Sequence, residues 1–340
     1  MDEHTARVIL NVTSSAAAET ALREGVQTRL VERSTAQLRK VRAHLEHTAR
    51  IAGTGWATDP VHDKIAVSAD ATVSGARLDQ LEKALKPLGE AVALTRVAGS
   101  YTSASRRGLA QASGTRALAT GTGSSATRAP ALHGGDAIYN ESRDTTCSLG
   151  FNVRSNRDPH VYFFVTAGHC GHGNARFAVP DDDETTVGSM SVFRPGVDSQ
   201  KGDYRIVKYT ASGIPPHDVD LYNGRFQTIT KAGEARVGQK VTRSGISSEV
   251  RSGVVTAVDQ TLNGVDYDGH SFEVRGLVKT TACAMPGDSG GPFFSGTTAL
   301  GLTSAIDKGT GCGTQPGSPR GVTYFQPIGE ALKAYDVSLY

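Results

Sequence analysis

Two short segments carry the residues best suited to chemistry. In Pro286-Gly287-Asp288-Ser289-Gly290-Gly291-Pro292 a serine is set among glycines. A serine hydroxyl is a poor nucleophile until a base takes its proton and amide donors stabilise the oxyanion that forms. Glycine on both sides lets the backbone turn sharply, expose the hydroxyl and aim amide hydrogens at one point. Val165-Thr166-Ala167-Gly168-His169-Cys170 supplies a base, a histidine at the end of a strongly apolar run beside a cysteine able to pin it. Alone, GDSGG could be a surface turn, and a lone histidine at a strand end is more often structural. Together the two segments point to acyl transfer by a serine nucleophile with a histidine general base.

A rigid frame must hold such a pair. CSLGFNV, HVYFFVTAG, DYRIVKY, FQTIT, QKVTRSG, SGVVTAV, FEVRGLVKT and TALGLTSA are short β-branched or aromatic runs separated by Gly, Pro, Asn or Asp. They predict an antiparallel barrel or sandwich, with little helix before EALKAY near the end. Upstream the pattern differs. Residues 15–50 are rich in Ala, Leu, Arg and Glu with apolar residues at helical spacing, and predict helix. GTGWATDP reads as a turn, DKIAVSAD as a strand, residues 75–92 as a second helix, and Val92–Val97 as another strand. This small α/β unit ends near Tyr101. From Thr102 to Pro130 the chain is Ser, Thr, Gly, Ala and Arg with almost no large apolar residue, which predicts a linker.

Composition supports the division. The chain has 340 residues and 39 glycines, enough for two domains and many tight turns. Residues 1–131 hold two aromatics, Trp56 and Tyr101, and residues 132–340 hold the other 19, together with all four cysteines. Charges number 17 basic and 12 acidic before residue 132, and 19 and 22 after it, so +5 and −3 sum to the overall +2. Opposite charge favours association of the two units, modestly and subject to salt. The near-neutral balance argues against a nucleic-acid binder, and no apolar run approaches the roughly 20 residues of a membrane span. Four cysteines confined to one unit suit two disulfides in an exported protein, and no C-x-x-C pair supports zinc. MDEHTARVIL has acidic residues at once and lacks the apolar core of a signal peptide, so either an export signal has been removed or the protein is not exported; the disulfide reading favours the first.

TAGHC and GDSGGP resemble the motifs of chymotrypsin-like serine proteases. GGDAIY, CSLGFNVR, DYRIVKYT, CAMPGDSGGP, GLTS and YFQPIGEALKAY are similar to the streptogrisin group of bacterial proteases, over all of residues 132–340. Residues 1–131, with GTGWATDP, resemble the pro-region of that group. The resemblance implies an all-β catalytic domain of two antiparallel six-stranded β-barrels, about 132–225 and 226–340. A small α/β pro-domain (1–101) and a linker (102–131) precede it. It implies Ser289 as nucleophile, His169 as general base and Asp203, from DYRIVKY, as the carboxylate orienting the imidazole, with Asp198 and Asp220 as nearby rivals. Gly287 and Ser289 would lend backbone N–H groups to the oxyanion hole. Cys147 would pair with Cys170 and Cys283 with Cys312. Asp288, a carboxylate expected to be buried, would meet Arg243 of VTRSG.

Resemblance also bears on specificity and processing. No carboxylate stands before Cys283, where Thr281 and Ala282 lie, which argues against cleavage after Lys or Arg. Thr303 stands where glutamate-specific members carry a histidine. Ser304 is followed by Ala305 and Ile306 rather than glycines, with Val322 facing from the next strand, so the pocket should be short and apolar. Maturation is expected between Ala131 and Leu132, because LHGGDAIY is similar to a mature start. Polypeptide substrates, the chain's own pro-region as folding aid and inhibitor, a secreted monomer, and no cofactor, metal, nucleic acid or membrane complete the expectation. His169-Cys170-Gly171-His172 as a metal site and Asp181-Asp182-Asp183-Glu184 as a calcium loop are weaker readings. So are a catalytically inactive peptide-binding relative and a separate N-terminal binding module.

Overall fold

The structure, a computed structural model, describes residues 9–108, 132–171, 175–179, 202–210, 213–266, 268–310, 312–313 and 321–340, and the backbone of 182–190. In the N-terminal unit the expected helix over 15–50 is two helices, Ser15–Arg23 and Thr35–Thr48, with the strand Gln27–Leu30 between them. The break has local causes. Gly25 takes a left-handed φ of +76°, and Ser34 opens the next helix by exchanging hydrogen bonds with Gln37. The second helix buries Leu38 and Leu45 in one core with Ile65, Val67 and Leu81. GTGWATDP, expected as a turn, forms the strand Thr54–Asp59, antiparallel to Lys64–Ala69. That strand in turn runs parallel to Val92–Arg96, with the helix Ala76–Leu85 crossing between them.

Among the described residues the C-terminal unit has, besides a small sheet of Asp218–Asp220 paired with Phe226–Thr228, two large antiparallel sheets. In one, Lys240–Arg243, Pro292–Ser295, Thr298–Asp307, Thr323–Pro327, Ser271–Thr280 and Arg251–Val265 are neighbours in that order, and the first also pairs with the last. Six strands thus close into a barrel around Val241, Val255, Val278, Leu300 and the stacked rings of Phe293 and Phe325. The other sheet has nine strands, running from Val337–Ser338 through Phe151–Ser155, Tyr162–Thr166 and Arg205–Tyr209 to Ala137–Asn140, Thr145–Ser148 and Arg106–Arg107. The boundary expected near 225 is therefore not clean. The C-terminal strand Val337–Ser338 and the helix Ile328–Tyr335 return to the nine-stranded sheet, where Ile328 and Ala331 share a core with Phe151, Val153 and Val165.

The N-terminal unit joins the barrel by strand addition. Thr54–Asp59 lies antiparallel to Arg251–Val265, Trp56 opposite Thr261, and the sheet grows to eleven strands. Complementary charges line the junction: Arg42 pairs with Asp259, Arg50 with Glu273 at 3.1 Å, and Arg275 with Glu46 at 2.8 Å. Residues 101–108 then cross between the two sheets. Tyr101–Ser103 pairs with Thr298–Asp307 and Arg251–Val265, and Arg106–Arg107 pairs with Thr145–Ser148. The start of the expected linker is thus ordered strand, and residues 109–131, including Ala131, lie outside the described residues.

Candidate active site

His169 sits in the tight turn Gly168–Cys170 that ends the strand Tyr162–Thr166, and the disulfide Cys147–Cys170 fixes that turn. The neighbouring strand Arg205–Tyr209 pairs Arg205 with Thr166, which brings Asp203, just before it, alongside the histidine. The Asp203 carboxylate receives the His169 backbone N–H at 2.9 Å and the Nδ1–H at 2.8 Å, so the proton rests on Nδ1. Nε2 is left free to accept from the Ser289 hydroxyl at 2.7 Å. Burial alone would raise the Asp203 pKa. The charge of His169, its two hydrogen bonds and the Ser304 hydroxyl at 2.6 Å outweigh burial and hold it at about 2. The stabilisation this carboxylate provides is complete above the ordinary Asp value of about 4 and is lost as pH falls towards 2. Gln326 fixes the same residue by accepting its backbone N–H at 3.0 Å.

The serine turn is held from below. Asp288 has no exposure and meets the equally buried Arg243 at 2.9 Å. It also accepts from the Ser248 hydroxyl (2.6 Å) and the backbone N–H groups of Met285 (2.7 Å) and Ser247 (2.9 Å). Such saturation is what a buried charge requires. Gly287 takes φ +108°, and a Cβ there would meet the Ser247 hydroxyl at 2.1 Å, so only glycine lets this peptide turn its N–H into the cleft. The disulfide Cys283–Cys312 anchors the strand end before the turn.

A chain segment occupies the cleft. The Ala104 carbonyl oxygen accepts from Gly287 N–H at 2.6 Å and Ser289 N–H at 3.2 Å, and the Ala104 N–H donates to the Ser304 carbonyl at 3.2 Å. The Ala104 side chain is fully buried with Ala284 and Ile306. Ahead of it Ser103 lies opposite Ala305 and Thr102 opposite Ile306; beyond it Arg106 lies opposite Thr146. A serine hydroxyl bonded to an imidazole that a carboxylate holds thus stands beside two amide donors that grip one peptide carbonyl. This arrangement can perform hydrolysis through an acyl-enzyme.

The other candidate residues are distributed differently from expectation. Of the pocket set, Ile306 meets Ala104, whereas Ala305 and Val322 belong to the cluster of Tyr101 and Tyr324. Thr281 accepts the Val254 N–H, Ala282 packs in the barrel core, and Thr303 donates to the Gly291 carbonyl. A bulge between Thr303 and Ala305 sets the directions of Ala305 and Ile306. Asp220 is engaged by the Tyr222 N–H at 2.7 Å, and Asp198 lies outside the described residues. So do His172, Asp181 and the side chains of Asp182, Asp183 and Glu184; Cys170 is spent in a disulfide. Ala104 and Ala284 were not singled out by sequence, nor was Ser304 as the partner of Asp203.

Residues 138–328 match the family model for trypsin. The chain belongs to the trypsin family of serine proteases. Residues 33–89 match the alpha-lytic protease prodomain, so the N-terminal unit is a prodomain and the protein a proenzyme of a chymotrypsin-like serine endopeptidase. Streptogrisin-D of Streptomyces griseus is 40% identical over 332 residues, covering 98% of this protease and 72% of the relative. Serine protease 1 of Streptomyces fradiae is 37% identical, covering 100% and 82% respectively. A solved glutamic acid-specific serine protease, described as using a histidine triad in substrate binding, superposes with a TM-score of 0.52 at 39% identity. It covers 62% of this protease and is itself covered completely. Among the described residues no helix is long and apolar enough to cross a membrane.

Proposed function

We propose that this protease cleaves polypeptides after small or medium apolar residues, Ala, Val or Leu. Ser289 is the nucleophile, His169 the general base and then acid, and Asp203 the group that fixes the imidazole. The Gly287 and Ser289 amides stabilise the oxyanion. The observation that carries the reading is the seating of Ala104, whose carbonyl meets both amides while its methyl group meets Ala284 and Ile306. A branched side chain at 306 shortens the slot beside it. The similar glutamic acid-specific enzyme uses a histidine triad, but here the residue before Ser304 is Thr303, tied to Gly291. Apolar contacts support apolar choice. The prodomain serves as folding aid and occupant of the cleft. The mature chain starts at Leu132, whose buried side chain belongs to the core of the nine-stranded sheet. Two disulfides suit action outside the cell.

The test is a panel of peptide substrates differing at the residue before the cut. Pro-Ala and Pro-Leu peptides should be hydrolysed faster than Pro-Phe, and Ile306→Gly should reverse the order. Faster cleavage of Pro-Phe by the unaltered protease would defeat the specificity reading.

A further inference from the structure

The segment in the cleft does not end at Ala104. It continues across the catalytic residues as an uninterrupted peptide, bound on both sides. Before the catalytic position, Tyr101–Ser103 pairs with Thr298–Asp307. After it, Arg106–Arg107 pairs with Thr145–Ser148, the Gly108 N–H donates to the Asp144 carbonyl at 2.8 Å, and Thr146 donates to the Gly108 carbonyl at 2.7 Å. Arg107 and Arg143 share Asp268. An oxyanion hole filled by a carbonyl, and strand pairing both upstream and downstream, define the geometry of a substrate with its scissile bond still joined.

We propose that the bond Ala104–Ser105 is the protease's own first substrate, cut in cis well before the mature start at Leu132. The proposal rests on the roles assigned above to Ser289 and His169. The Ser289 oxygen bonds to the Ala104 carbonyl carbon, and His169 takes the hydroxyl proton. The Ala104–Ser105 C–N bond then breaks as His169 returns that proton to the Ser105 nitrogen. Water, deprotonated by His169, hydrolyses the Ala104 ester and restores Ser289. The products are a prodomain ending in the Ala104 carboxylate and a protease chain beginning at Ser105. Maturation therefore takes two cuts. After the first, Arg106–Arg107 is still covalently part of the protease, lying along Thr145–Ser148 on the leaving-group side. Removal of residues 105–131 is a second, separate event. Ala104 as the first self-substrate also matches a pocket walled by Ala284 and Ile306.

The test follows the full-length chain in time by intact mass and N-terminal sequencing, with a Pro-Ala peptide as external substrate. The expected first products are a fragment ending at Ala104 and a chain starting at Ser105, formed at a rate unchanged by 100-fold dilution. Ala104→Asp, which sets a carboxylate against the apolar wall, should slow this cut on the order of 100-fold. Ser105→Pro, which changes the leaving nitrogen and leaves Ala104 intact, should do the same and guards against a folding defect in the first variant. A first cut elsewhere, with the product active on the external peptide, overturns this inference and leaves the proposed function standing. Unchanged first cutting in both variants overturns it as well. No self-cleavage and no peptide hydrolysis would overturn both.

Discussion

Asp288 and Asp259 each face an arginine, but the two pairs live in different surroundings. Asp288 and Arg243 are wholly buried, and the carboxylate is surrounded by further donors from Ser247, Ser248 and Met285. Asp259 meets Arg42 across the junction with the prodomain, and its side chain is 61% exposed. Inside the barrel, water cannot replace a lost partner, so the ion pair is a fixed part of the turn that carries Ser289. At the junction water can replace it, so the pair adds complementarity without locking the units together. The difference separates a catalytic framework built to persist from a prodomain contact built to be given up. The prodomain is held chiefly by strand addition at Thr54–Asp59 and Tyr101–Ser103, which depends on backbone rather than side-chain identity.

Breaking the interior pair should have the larger effect. In the full-length Ser289→Ala chain, which cannot process itself, Arg243→Ala should lower stability to denaturant by about 3–5 kcal/mol, because Asp288 is left buried without its cation. Stability within 1 kcal/mol of the parent would show that the backbone donors suffice. On the same background and by the same measurement, Arg42→Ala should cost less than about 1 kcal/mol, and high salt should shrink the difference further. A loss comparable to that of Arg243→Ala would erase the distinction between the two regions.

Much of the candidate site was legible because it is local. Ser289 with its glycines, and His169 at its strand end, are read from adjacent residues, and the strands around them from alternation. Other parts depend on contacts distant in sequence. GTGWATDP looks like a turn, yet Trp56 is buried in a strand completed by Thr261 of the barrel. The helix over 15–50 divides at Gly25 and Ser34, signals that were present but outweighed by the Ala, Leu and Arg around them. Residues 102–108 have the composition of a linker, yet they are ordered through backbone pairing with the two sheets, for which Ser, Thr and Ala serve as well as larger residues. Which of Ala305 and Ile306 faces Ala104 is decided by a bulge at Ser304, where pairing shifts register. Alternation cannot foretell that.

As proposed, Ser289 is a nucleophile activated by His169 in a cleft filled by the segment around Ala104. An organophosphonate that labels activated serines, mapped by peptide mass, reads both features. The processed protease should take up one equivalent on Ser289, and the full-length Asp203→Asn chain, with Ala104 still seated in the oxyanion hole, should take up almost none. Absence of label on Ser289 in the processed protein would rule out its role as the nucleophile.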